Sequence, residues 1–130
     1  MAEGYSGTPL LQKLGVKPNS RVRLIEAPAW ISELVGIAKV QTGSFDVAVA
    51  FCHSASSVIE SLKVLLSDLP SNGAIWIAWP KKSSGLKTDC SDQVVRDNGL
   101  ATGLVDNKVC AIDTTWSALR FVVRTKNRGS

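Results

Sequence analysis

A bilayer-length apolar stretch is missing from this chain: no hydrophobic run exceeds six or seven residues, against about 20 for a membrane-spanning helix. The N-terminus lacks a basic start followed by a hydrophobic segment, so no secretory signal is read there and the cytoplasm is the expected location. Histidine occurs once, at His53, and no Cys or His stands at zinc-ligand spacing, so no metal site is expected. The three cysteines, Cys52, Cys90 and Cys110, are odd in number, widely spaced and in no C-x-x-C pair. They read as structural thiols rather than a disulfide framework. Excess charge of one sign is also scarce. The 15 basic and 11 acidic residues leave a net charge of +4, which aids solubility and by itself argues poorly for nucleic acid.

Several catalytic and cofactor motifs are absent as well. A dinucleotide site needs G-x-G-x-x-G after the first strand, so that backbone approaches a pyrophosphate closely. Here Glu26-Ala27-Pro28-Ala29-Trp30 follows it; proline has no N–H for phosphate and tryptophan is bulky. Lys81-Lys82-Ser83-Ser84 lacks the preceding glycines of a Walker loop, and no G-x-S-x-G elbow occurs. Adjacent strand residues point to opposite faces, so Cys52 and His53 cannot converge on one substrate. No catalytic residue is assigned from the sequence.

What remains is a clear α/β pattern. The 130 residues are 45% hydrophobic, enough for one domain that buries roughly two-thirds of its unfolded surface. Residues 1–7 and 126–130 are expected to be flexible ends. Thr8-Pro9 followed by Gly15 predicts a short helix with an N-cap and a left-handed stop. Arg21 to Ala27 reads as a first strand stopped by Pro28, with a brief helix placed over Trp30 to Val35 and a short strand over Ile37 to Val40. Phe45 to Cys52, apolar without a break from Val47 onward, and the continuous apolar run Ala74 to Trp79 are bounded by turn signals, the pattern of strands buried on both faces. Trp76 and Trp79, three apart, must then face opposite sides of the sheet.

Between these two strands, Val58, Leu62, Leu65, Leu66 and Leu69 recur at helical period, predicting a helix from Ser56 to Leu69 with Ser57 and Glu60 at capping-box spacing. A second helix is predicted from Ser91 to Asn98, capped by Asp89 or Ser91 and ended by Gly99. Val109 to Ile112 and Leu119 to Val123 lie too close together for a crossover, so they form an antiparallel pair. Asp113, Thr114 and Thr115 read as turn chemistry, with Trp116 beside them as a candidate lid over a pocket. The sum is a three-layer Rossmann-like α/β domain: a mainly parallel sheet of five or six strands with a C-terminal antiparallel hairpin.

Several pieces carry a resemblance. Gly4-Tyr5-Ser6-Gly7-Thr8-Pro9-Leu10, Lys13-Leu14-Gly15, Ala78-Trp79-Pro80-Lys81-Lys82, Gly99 to Val105, and Val109 to Asp113 with Trp116 to Phe121 are similar to a bacterial family of small proteins known only as a domain of unknown function. The resemblance implies a bacterial cytoplasmic protein and brings no catalytic residues. More distantly, strand, long helix, strand, helix and terminal hairpin resemble the later part of an S-adenosylmethionine methyltransferase core.

Ligands of open α/β sheets bind outside the carboxyl ends of the strands. The expected site therefore collects His53, Ser54, Lys81, Lys82, Ser83, Ser84 and Trp116. The leading expectation is a non-catalytic module, with no cofactor, that binds a protein partner or a small anionic ligand there. The alternative is a divergent S-adenosylmethionine-dependent methyltransferase-like enzyme. A second alternative is weak nucleic-acid binding through Lys81, Lys82 and Lys87. No membrane partner is expected, and the terminal hairpin leaves an edge on which copies could pair.

Overall fold

A computed structural model describes residues 8–36, 39–40 and 42–124. The expected flexible ends, 1–7 and 126–130, lie outside the described residues, as does the first half of the strand expected over Ile37 to Val40. The chain runs α1 (Thr8–Leu14), β1 (Val22–Ile25), α2 (Ala29–Val35), β2 (Lys39–Val40), β3 (Val47–Phe51), α3 (Ala55–Leu66), β4 (Ala74–Pro80), a short 3-10 turn at Lys82–Ser84, α4 (Asp92–Ala101), β5 (Val105–Ala111) and β6 (Trp116–Val122). Six strands form one sheet in the order β2-β1-β3-β4-β6-β5. The first four are parallel, and β6 and β5 are antiparallel. This is the predicted α/β architecture with its terminal hairpin.

The two central parallel strands are buried along their whole length, as their unbroken apolar runs require. Alternation divides their side chains between two cores. On one face Ala48, Ala50, Ile75, Ile77 and Trp79 pack with Val58, Leu62 and Leu65 of α3 and Val95 of α4. On the other, Val47, Val49, Phe51, Trp76 and Ala78 pack with Leu10 and Leu14 of α1 and Ile31 and Val35 of α2. Trp76 and Trp79 thus stand on opposite faces, as predicted. The buried Trp76 indole N–H donates to the Leu14 carbonyl at 3.0 Å. That bond satisfies a C-terminal carbonyl of α1, which Gly15 ends at φ 82.

Element boundaries shift where tertiary contacts decide them. α3 starts earlier than expected because Ser54, extended at φ −148, forms the capping box with Ser57. Ser91 caps α4, its side chain accepting from the Val94 N–H at 3.2 Å. Gly99, expected to end α4, lies inside it and is buried, because the Phe121 ring of β6 occupies the space a Cβ would fill. Arg23 on β1 is the one buried cation among the described residues, 8% exposed. Its Nη1 donates to Asp68 Oδ2 at 2.9 Å and to the Gly43 carbonyl at 2.8 Å, joining β1 to the segment after α3. Among the described residues no helix is long and apolar enough to cross a membrane.

Gly99→Ala tests the α4–β6 packing. Helix propensity alone favours alanine by about 1 kcal/mol, but overpacking against Phe121 costs about 3 kcal/mol. Net destabilisation, read as a lower urea midpoint with unchanged m-value, is the expected result; a raised midpoint contradicts the contact.

Candidate functional site

The chain leaves the parallel strands at one edge of the sheet. From β1 the connection passes through α2 to β2 on one side; from β3 it passes through α3 to β4 on the other. The crevice between the ends of β1 and β3 is therefore the topological switch point, where open α/β sheets hold ligands. Glu26 is the first residue beyond β1. It is exposed, and it is the one non-glycine with positive φ, 54°, among the described residues. Holding an L-residue there costs about 1–2 kcal/mol, and strain of this kind collects at functional sites. Ala27 and Ala29 keep the turn small, and Trp30 packs against the α1–α2 core.

Across the crevice, Cys52 turns into the α3 core, fully buried, while His53 is exposed. The expected divergence of these neighbours is therefore present. Burial pushes the Cys52 thiol above its ordinary value, against partial relief from the hydroxyls of Ser61 and Ser57. Such a thiol is a poor nucleophile. The His53 ring stands edge-on to Trp116 with centroids 5.1 Å apart, and Trp116 is likewise edge-on to Phe51 at 5.0 Å. Trp116 is not in a turn: it opens β6, pairs with Pro80 and is 8% exposed. It forms the wall beneath His53.

The β4 exit lies at the same edge. Lys81 N–H donates to the Thr115 carbonyl at 2.8 Å, tying the Lys81–Ser84 turn to the start of β6. Among the described residues, the side chains of Lys81, Lys82 and Ser83 make no hydrogen bond or ion pair; Lys82 and Ser83 are exposed and Lys81 half-buried. Ser84 is committed to the fold. Its hydroxyl donates to the Lys81 carbonyl at 2.7 Å and accepts from the Leu86 N–H at 3.2 Å. Ser54 is committed too, accepting from the Ser57 N–H at 3.2 Å. The fold thus brings all seven expected residues to one edge and gives two of them structural work.

Of the two caps the sequence offers for α4, Ser91 takes that place and Asp89 does not. Asp89 instead reaches back 34 positions to α3, where its Oδ1 accepts from the Ala55 N–H at 2.8 Å. Thr88 donates its hydroxyl to the His53 carbonyl and accepts from the Cys90 N–H. Residues 88–90 are thereby laced over the end of β3, and a carboxylate already occupies the positive end of α3. Asp113 does the turn work expected of it, its Oδ1 accepting from the N–H groups of Thr115 and Trp116, each at 2.8 Å. Among the described residues no three His, Cys, Asp or Glu side chains group to hold a metal ion. Sequence reasoning missed Glu26, because a positive φ at a non-glycine leaves no pattern in composition or spacing.

The chain matches no protein-family model and no curated protein. Its fold does have solved counterparts. A ribosomal protein L11 methylase from Lactobacillus delbrueckii subsp. bulgaricus superposes with TM-score 0.60 and 13% identity, covering 91% of this chain and 77% of that one. TrmN from Thermus thermophilus gives TM-score 0.60 and 12% identity over 91% of this chain, which spans only 48% of TrmN. A TehB-like SAM-dependent methyltransferase from Corynebacterium glutamicum gives TM-score 0.56 and 10% identity, covering 94% of this chain and 89% of that one. The architecture shared is that of S-adenosylmethionine-dependent methyltransferases. Two expectations are corrected by this likeness, the non-catalytic module and the absence of a cofactor; the methyltransferase-like alternative is the reading carried forward.

Ser54→Ala separates structure from ligand contact at this edge. Loss of the cap is expected to cost about 1 kcal/mol of stability, measured by chemical denaturation, without changing the affinity of any ligand of the crevice. A tenfold loss of affinity at unchanged stability overturns the structural role.

Proposed function

We propose that the protein is a divergent S-adenosylmethionine-dependent methyltransferase-like enzyme whose ligand lies in the crevice between the ends of β1 and β3. The observation that carries this reading is the left-handed, exposed Glu26 at the switch point of a methyltransferase-like sheet. The residues present discriminate between possible cofactors by charge. A pyrophosphate needs converging N–H donors, and here a carboxylate and Pro28 face it. S-adenosylmethionine instead carries an ammonium and a sulfonium, for which Glu26 supplies a charge-matched acceptor. Small Ala27 and Ala29 stand in for the usual glycines.

When bound, S-adenosylmethionine supplies a methyl group on a positively charged sulfur, transferred to a nucleophilic acceptor atom with S-adenosylhomocysteine left as a neutral thioether. The chain's own contribution is to hold and orient. Glu26 would hold the cationic end of the donor. His53 offers an exposed imidazole, the side chain most often used to move a proton, braced by Trp116. Lys81, Lys82 and Ser83 would orient an anionic acceptor at the β4 exit. The three free cysteines suit a reducing, cytoplasmic compartment.

Binding to the native state raises stability by about 2.7 kcal/mol at a hundredfold excess over Kd. S-adenosylmethionine and S-adenosylhomocysteine are therefore expected to raise the melting temperature saturably, and Glu26→Gln to abolish the shift while the free protein melts as before. Glu26→Gly is expected to stabilise the free protein by about 1 kcal/mol through relief of the left-handed strain and to lose the ligand as well. No shift with either ligand at millimolar concentration refutes the reading.

A further inference from the structure

A cleft of about 630 Å3 lies at the opposite edge of the sheet, where the parallel strands begin. The link between α1 and β1 forms one wall with Lys17 and Asn19, the starts of β3 and β4 bring Asp46 and Asn72, and β6 brings Arg120. Its volume is that of a small-molecule site. None of the residues expected at the C-terminal edge takes part in it.

Three features give the cleft a chemistry. Arg120 pairs across the sheet with Trp76, so it stands on the α1 face beside the end of that helix. Its guanidinium is aimed by a β-bulge. The β5–β6 register slips between Asp106 and Lys108, which leaves Asn107 as the extra residue, and Asn107 Oδ1 accepts from Arg120 Nη1 at 3.2 Å. Bulges re-aim side chains in this way beside binding sites. Lys17 supplies a second cation, exposed and in no ion pair among the described residues. Asp46, the acid of the cleft, is already answered by Arg21, whose N–H donates to Oδ2 at 2.8 Å and whose Nη2 lies 3.4 Å from Oδ1. The backbone bond from Arg21 is the main cause holding the Asp46 carboxyl below its ordinary value.

We infer that this cleft binds a small phosphate ester with a hydroxylated body, a sugar phosphate or a nucleoside monophosphate. Arg120 and Lys17 take the phosphate, the planar fork of arginine matching its oxygens. The remaining lone pairs of Asp46 and the amides of Asn19 and Asn72 take the hydroxyls. Asn107 is a positioning residue that acts through Arg120. This site is separate from the proposed methyltransferase crevice and stands or falls independently of it.

Calorimetric titration of the full chain at low salt with ribose 5-phosphate, adenosine 5′-monophosphate and inorganic phosphate tests the assignment. At least one ester is expected to bind with submillimolar Kd, more tightly than inorganic phosphate, and the tighter of the two identifies the class of body. Lys17→Ala and Arg120→Gln should each weaken it about tenfold, with Asn107→Ala weakening it less while the free protein keeps its melting temperature. Glu26→Gln should change nothing here. Absence of ester binding, or equal binding by Lys17→Ala and the unaltered chain, overturns the inference. Lys17 is exposed, so that variant decides the matter even if Arg120→Gln fails to fold. Inorganic phosphate binding as tightly as both esters overturns the assignment of a hydroxylated body.

Discussion

Everything else in this structure depends on β4 being buried on both faces. Its seven residues are all buried, with parallel β3 on one side and antiparallel β6 on the other. Trp76 extends into one core and Trp79 into the other, so a single strand nucleates both helical layers. The indole bond from Trp76 to the Leu14 carbonyl then fixes where α1 ends. A buried tryptophan without a partner for its N–H loses the desolvation energy of that group, of order 1–3 kcal/mol. The α1 terminus is thereby tied to the centre of the sheet.

The change of direction at β6 gives the two edges of the sheet different chemistry. Because β6 runs against its neighbours, its first residue, Trp116, stands at the C-terminal edge under His53, while Arg120 stands near the opposite edge. The switch-point edge is closed over by the chain's own bonds: Thr88 on the His53 carbonyl, Asp89 on the Ala55 N–H, Ser84 within its own turn. These bonds satisfy the end of β3 and the start of α3 without external help. What they leave presented is Glu26, His53, Lys81, Lys82 and Ser83. The other edge is walled by four separate segments, the last of them β6 with its guanidinium aimed from a bulge.

Much of the frame was legible in the chain because burial on two faces leaves a continuous apolar run, as at Val47 to Phe51 and Ala74 to Trp79. Leucine spacing located α3, and the short link after Ala111 required an antiparallel hairpin. Boundaries were less legible. Ser54 rather than Ser57 begins α3, since which serine caps depends on where β3 lets go of the sheet. Gly99 looks like a helix stop in one dimension; it is a packing glycine because Phe121, 22 positions later, lies against it. Of the two residues that could cap α4, Ser91 does so, while Asp89 serves the helix before.

The sequence by itself determined the class of fold, the orientation of the two central tryptophans and the gathering of His53, Ser54 and Lys81 to Ser84 at one edge. Each follows from a local rule: period, alternation, or the side of a parallel sheet on which strands end. Tertiary structure alone decided which of those side chains are already occupied, that Glu26 sits left-handed at the switch point, and that Lys17, Asp46, Asn72 and Arg120 share a cleft. Those facts depend on contacts between residues far apart in the chain, and no local pattern of residue types encodes them.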